Sequence, residues 1–210
     1  MSAGTEPGGP TRRRRVNGEA SRSKILDAAT EVAAERGYEG TSIALVSKKC
    51  GLPASSIYWH FKDKDDLIAA VIARSFSDWS DAWQIPETGT ARERVVAMTT
   101  EIATALMDSP DFLRLGLMLA LERRPVEASA RAMFLQVRAE AHDVLVAGFG
   151  DLTDGLTAGQ IDQLVTYAVA GADGLFIAKE IGGDAVDLVA MFALHAGAIF
   201  DMATRMAATR

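Results

Sequence analysis

The sequence predicts an all-α fold of about nine helices: an N-terminal helix-turn-helix unit followed by a larger helical domain. Three observations lead there. Alanine occurs 36 times in 210 residues and 49% of the chain is apolar, a composition that favours helix. Apolar residues recur at three- and four-residue spacing along most of the chain. Thr90 with Glu93, and Thr157 with Gln160, have the spacing of capping boxes. No stretch alternates like a strand, and no long repeat is visible.

Residues 1–20 are rich in Gly, Pro, Ser, Thr and Arg and read as a disordered basic tail. Ser21 is expected to cap a first helix to about Arg36, with Ile25, Leu26, Ala29, Val32 and Ala33 on its apolar face. Gly37 suits the left-handed position that ends it, and Tyr38 can fold back onto the last turn. Short helices follow, one capped by Thr41 or Ser42 and running to about Cys50, the next from about Ala54 to His60. A fourth runs from Asp63 to about Trp79. Pro86 and Gly89 interrupt the chain. Further helices are expected from Thr90 to Met107, from Pro110 to Arg124 and from Pro125 to Phe149. The last two run from Thr157 to Ile181 and, after a Gly182-Gly183-Asp184 stop and cap, to about Ala207. The expected domains are residues 21–68 and 69–210.

Composition excludes several classes. A single cysteine, Cys50, excludes a disulfide scaffold and a cysteine-rich zinc module; it reads as a small buried hydrophobe. The stretches 164–178 and 186–200 contain Asp173 and Asp187, so neither is a clean membrane span. Four arginines near the N-terminus lack a following apolar run, so no signal peptide is expected and the default location is the cytoplasm. The signatures GxSxG, HExxH, GxGxxG and the P-loop are absent, and His60, His142 and His195 lack ligand spacing. No enzyme activity, cofactor or metal is expected.

Charge is unevenly distributed. The net charge is −6. Residues 11–64 hold 11 basic and 6 acidic side chains, net +5, whereas 65–210 are net −10. A basic end on an acidic body suits a module that meets a polyanion through that end.

The sharpest local pattern is Ser42–Phe61. Gly51 sits where a positive φ is needed between two short helices. Small Ser47 lies four residues earlier, and Val46, Leu52 and Ile57 can pack the helices together. The second helix presents Ser55, Ser56, Tyr58, Trp59 and His60 on a tip narrow enough for a major groove. An ordinary helical corner has the same spacing.

Residues 21–71 resemble the tetracycline-repressor (TetR) family of bacterial transcription regulators. The matching pieces are Ile25-Leu26-Asp27-Ala28-Ala29, Gly37-Tyr38 with Thr41-Ser42, Gly51, and Ile57-Tyr58-Trp59-His60-Phe61-Lys62-Asp63-Lys64 with Leu67. Beyond about residue 75 only the helical layout matches. The resemblance implies a homodimer that binds double-stranded operator DNA and a small-molecule effector, most simply a repressor released by that effector. An activator, or a regulator without a small ligand, stays open. By position, Ser42 would meet a phosphate, Ser55, Ser56 and Tyr58 would face the groove, His60 would lie near the backbone, and Lys64 would hold a phosphate. Trp59 and Phe61 are expected to pack inward. Ala44 and Pro53-Ala54 replace polar residues common in the family, so base readout rests on few side chains. Lys48 and Lys49 either compensate or form a solvated face. Arg12, Arg13, Arg14 and Arg15 form a basic arm suited to phosphates.

By the same analogy the second domain holds a mainly apolar effector. The expected lining is Phe76, Trp79, Trp83, Ile102, Leu106, Phe112, Met118, Phe134, Val137 and Ala141, with Arg138 and His142 as polar anchors. The helix starting at Pro110 is apolar nearly all round and is expected to be central. The last two helices are expected to pair across a two-fold axis through Leu164, Ala168, Ala172, Leu175, Leu188, Met191, Phe192, His195, Ile199 and Met202, or to face the chain's own core.

Overall fold

The computed structural model describes residues 10–80, 86–122, 128–152 and 155–208; among them are nine α-helices and no strand. The helices are α1 (Pro10–Gly40), α2 (Ile43–Cys50), α3 (Ala54–His60), α4 (Lys64–Ser80), α5 (Ala91–Asp108), α6 (Asp111–Leu121), α7 (Ser129–Leu152), α8 (Ala158–Gly182) and α9 (Leu188–Ala208).

The main departure is at the N-terminus. Residues 10–20, expected to be disordered, are the first turns of α1. Proline suits a first helical turn because its φ is preset and it needs no partner for an N–H, and arginine is a good helix former. Ser21 therefore lies inside the helix. It does not cap an end; its hydroxyl donates to the Gly18 carbonyl at 3.0 Å. Gly37 interrupts α1 at φ 66°, a conformation open mainly to glycine, and Tyr38 beyond it is buried.

The chain forms two compact units. One comprises the residues up to Arg74 together with 111–134; the other comprises 75–110 and 135–210. Residues 111–134, expected in the second domain, thus group with the N-terminal helices, and α6 packs on α1. Ile25, Leu26, Val46, Ile57, Phe61, Leu67, Ile68, Ile72, Phe112, Leu115 and Leu119 form the interior of this unit. The helix α6 is not buried all round: Met118 and Leu121 are exposed.

In the second unit α9 packs on α5 and α8. Both expected capping boxes are present. Thr90 Oγ1 accepts the Glu93 N–H while Glu93 accepts the Thr90 N–H, and Thr157 and Gln160 do the same. The stop before α9 differs from expectation. Gly183–Ala185 form a 3₁₀ turn, and the helix is capped by Asp187, which accepts the Ala190 N–H at 3.0 Å. By length and composition 158–185, despite Asp173, and 188–208, which begins just after Asp187, are each apolar enough to cross a membrane. Leu188, Phe192, Ala196, Ile199 and Ala203 nevertheless face the interior of their own unit.

Candidate nucleic-acid interface

The geometry of α2 and α3 follows from a few local bonds. Ser42 caps α2, its hydroxyl accepting the Leu45 N–H at 3.3 Å. Gly51 adopts φ 67°, ψ 19° and its N–H returns to the Ser47 carbonyl, closing the helix in the left-handed conformation that glycine adopts without strain. The Ser47 hydroxyl donates to the Leu52 carbonyl at 2.7 Å, fastening the turn. Val46, Cys50, Ile57 and Phe61 are buried beneath.

This packing sets the outward row. Ser55, Tyr58 and Trp59 are exposed, and Ser56 and His60 are half-buried. Trp59 overturns the inward expectation: it is 73% exposed. Ile57 and Phe61, four residues apart, hold the inner face of α3, and a residue two positions from Ile57 points away. That spacing is legible in the sequence and outweighs the apolar character of the ring. Trp59 packs edge-on against His60, with ring centroids 4.5 Å apart.

The cations divide into committed and uncommitted groups. Lys49 pairs with Glu31 at 2.6 Å and with Glu35 at 3.6 Å, and hydrogen bonding to Glu31 raises its pKa. Lys48, exposed on the same turn, has no ion pair among the described residues. Lys64, expected to hold a phosphate, turns back to α1. Its ammonium donates to the Tyr38 carbonyl at 3.2 Å, lies 4.2 Å from the Tyr38 ring centre and approaches Glu39 at 3.9 Å. His60 is drawn to α1 by a 2.7 Å hydrogen bond with the Ser21 hydroxyl. Its pKa lies below the ordinary value, first through burial and then through the nearby charge of Arg22. Arg12, Arg13, Arg14 and Arg15 lie in the opening turns of α1, but their side chains are outside the described structure.

The effector set is divided. Phe112, Met118 and Phe134 belong to the first unit; Phe76, Trp79, Ile102, Leu106, Val137, Arg138, Ala141 and His142 belong to the second; Trp83 lies outside the described residues. Met118 is 54% exposed, which departs from the central position expected of it. Trp79 is buried and its indole N–H donates to the Ile102 carbonyl at 3.2 Å, with Phe76 against its ring. Arg138 is joined by both guanidinium arms to Asp173, at 3.0 and 2.6 Å. Burial nevertheless raises the Asp173 pKa, outweighing the opposing pull of Arg138. His142 approaches Thr166 at 3.4 Å and Asp162 at 3.6 Å.

The pairing set on α8 and α9 also splits. Leu164, Leu188, Phe192 and Ile199 are at most 4% exposed within a single chain, so they fill the chain's own core and are not available to a partner. His195 is likewise turned inward: its Nε2 is 2.9 Å from the Ala168 carbonyl, and its ring lies on Gly171, where any side chain would collide with it. Ala168, Ala172 and Leu175 are half-buried, and Met191 and Met202 are exposed. The exposed row also includes Tyr167, Ile177 and Ile181 on α8 and Leu194 on α9, which the sequence reading missed. They alternate with the buried positions at helical spacing.

Residues 25–71 match the family model described as bacterial regulatory proteins, tetR family. The fatty acid metabolism regulator protein of Bacillus subtilis is 25% identical over 142 residues, spanning 67% of this chain and 70% of that protein. An HTH-type transcriptional repressor of Mycobacterium tuberculosis is 32% identical over 106 residues; the match spans 50% of this chain and only 40% of that repressor. Two solved structures share the fold. The transcriptional regulator FadR from Bacillus subtilis, in complex with stearoyl-CoA, has a TM-score of 0.66 at 21% identity, over 84% of this chain and 96% of that one. The fatty acid degradation regulator FadR from Bacillus halodurans has a TM-score of 0.71 at 16% identity, over 92% and 96%. Residues 25–71 thus match the helix-turn-helix segment of the tetR family of bacterial regulatory proteins, and the chain shares the all-helical fold of the two FadR structures.

Proposed function

We propose that this regulator is a cytoplasmic homodimer that represses transcription from operator DNA and is released by a long-chain acyl thioester. The observation that carries the DNA reading is the outward row Ser55, Tyr58 and Trp59 on a helix whose inner face is fully packed. Tyr58 and Trp59 offer stacking and apolar contact to thymine methyls, and the serine hydroxyls offer donors and acceptors to base edges or phosphates. Ser42 and the exposed Lys48 flank this row and supply backbone contacts.

The dimer reading rests on the exposed row of α8 and α9. Tyr167, Ile177, Ile181, Leu194 and Met202 are large apolar side chains open to water on these two helices, and exposed apolar surface of this kind marks association sites. In a symmetric pair the two recognition helices enter successive major grooves roughly 34–36 Å apart.

The acyl thioester reading is supported by the Bacillus subtilis relative named for fatty acid metabolism and by the fold shared with the stearoyl-CoA complex. A ligand that binds one arrangement of the dimer more tightly shifts the population towards it, and weakens DNA binding by the difference. The test is fluorescence anisotropy on the DNA flanking the gene for this chain, with stearoyl-CoA or free coenzyme A added. Stearoyl-CoA should release the DNA and free coenzyme A should not. Binding that ignores acyl-CoA of every chain length overturns the effector reading and leaves the DNA reading standing.

A further inference from the structure

The C-terminal end of α3 is fastened to α1 by three contacts, at Trp59, His60 and Phe61. Ser21 hydrogen-bonds His60 at 2.7 Å. Gly18 lies beside the Trp59 ring, where an added methyl group would sit 3.7 Å from the ring carbons. The Arg22 guanidinium is held 5.3 Å from the centre of the buried Phe61 ring.

Arg22, like Lys48, contrasts with the committed cations of this unit. Lys49 is committed to Glu31 and Glu35, Arg74 to Asp27, and Lys64 to Glu39 and the Tyr38 carbonyl. Arg22 is exposed and has no carboxylate partner among the described residues. An arginine resting on an aromatic ring keeps its edge N–H donors free while its rotamer is restrained. That planar fork matches two oxygens of one phosphate. Its charge acts on His60, the last residue of α3.

We propose that Arg22 is a further DNA contact: it grips a backbone phosphate that flanks the bases faced by α3. The contact rests on the DNA reading above. The chemistry is a bidentate charge-assisted bond to a phosphodiester, which positions the protein without reading sequence. The ring of Phe61 below and the Ser21–His60 bond beside it fix the guanidinium relative to Tyr58, so this phosphate stands at a set offset from the groove contacts.

The test uses the full-length protein and a duplex that the wild type selects from a random pool. Phosphate ethylation interference and salt titrations are then compared for the wild type, R22Q, R22K and Y58A. R22Q should lose one interference position in each half-site. Its slope of log affinity against log salt should become shallower by about 0.9 for each phosphate lost. The selected duplex and a random-sequence duplex should weaken by the same factor, and R22K should keep most of the slope. An R22Q protein with unchanged interference and slope overturns the proposal. So does one that loses the selected duplex far more than the random one, because that pattern means a loosened α3. If Y58A is weakened while R22Q behaves as the wild type, only this contact falls. If the wild type selects no duplex, the DNA reading falls with it.

Discussion

The Tyr38 hydroxyl donates to the Asp65 carboxylate at 2.9 Å, across 27 residues of sequence. The same carboxylate accepts the Ser129 N–H, and the Ala130 N–H at 3.4 Å, so it caps α7 from the first turn of α4. One acidic side chain thereby ties the end of α1, the start of α4 and the start of α7 within a single unit. Tyr38→Phe removes one bond to a charged acceptor and should cost about 1.5 kcal/mol. Asp65→Ala also uncaps α7 and should cost about 2 kcal/mol or more. Denaturant midpoints at one fixed protein concentration check both values; equal losses for the two variants exclude the cap.

Tyr58→Ala should weaken binding to the selected operator by about 1–3 kcal/mol while leaving the helical content and oligomeric state unchanged. Anisotropy titrations with circular dichroism and gel filtration measure all three. A folded variant with full operator affinity removes Tyr58 from the contacts.

On α9 two neighbouring substitutions should behave oppositely. Phe192 is 2% exposed and Leu194 is 67% exposed. Phe192→Asp buries an unpaired charge in the chain's own core, at a cost of several kcal/mol, and should unfold the protein. Leu194→Asp should leave it helical but monomeric and weak on DNA. A Leu194→Asp protein that elutes as a dimer places the pairing surface elsewhere.

The His60 pKa is lowered from 6.5, so the folded chain holds that proton less tightly than the unfolded chain. The stability contributed by neutral His60 is therefore in place above 6.5 and is lost as pH falls through 6.5 towards the lowered value. His60→Gln should flatten the stability curve in that interval. The Arg22 charge is the second cause of the shift, so R22Q should raise the His60 pKa, as read from its imidazole proton resonances in NMR. A resonance titrating at the same pH in both proteins separates the two side chains.

Removing residues 1–15 should weaken binding to all DNA and make the salt slope shallower. With one to three phosphate contacts in each of two arms, the change should be roughly 2–5. Discrimination between operator and random duplex should hold. A truncated protein with the full slope gives Arg12–Arg15 no share in DNA binding.

Much of this molecule was legible in the sequence because its signals are local. The capping boxes at Thr90 and Thr157, the Gly51 turn and the Ile57–Phe61 spacing each act within five residues or fewer. The helix after Pro125 was harder. Its observed cap is Asp65, 64 positions before Ser129, and no local window contains both. The start of α1 is hidden in the sequence by the Gly- and Pro-rich composition of residues 1–20, which lacks the apolar periodicity of the turns that follow. On α8 and α9 apolar residues occur on nearly every face, so periodicity alone could not say that Phe192 points inward and Leu194 outward. Lys64 and His60 carry the family's spacing, yet their side chains are claimed by Tyr38 and Ser21, partners that only the folded chain brings near.

Cys50 is the chain's single cysteine and is 4% exposed, on the inner face of α2. A thiol reagent therefore has one target and reaches it only while the helix-turn-helix is open. The labelling rate of the unmodified protein counts those openings, and its ratio to the rate of the unfolded chain gives the free energy of the local event. Bound DNA should slow that clock, and any substitution that loosens α2 should quicken it before the rest of the chain responds.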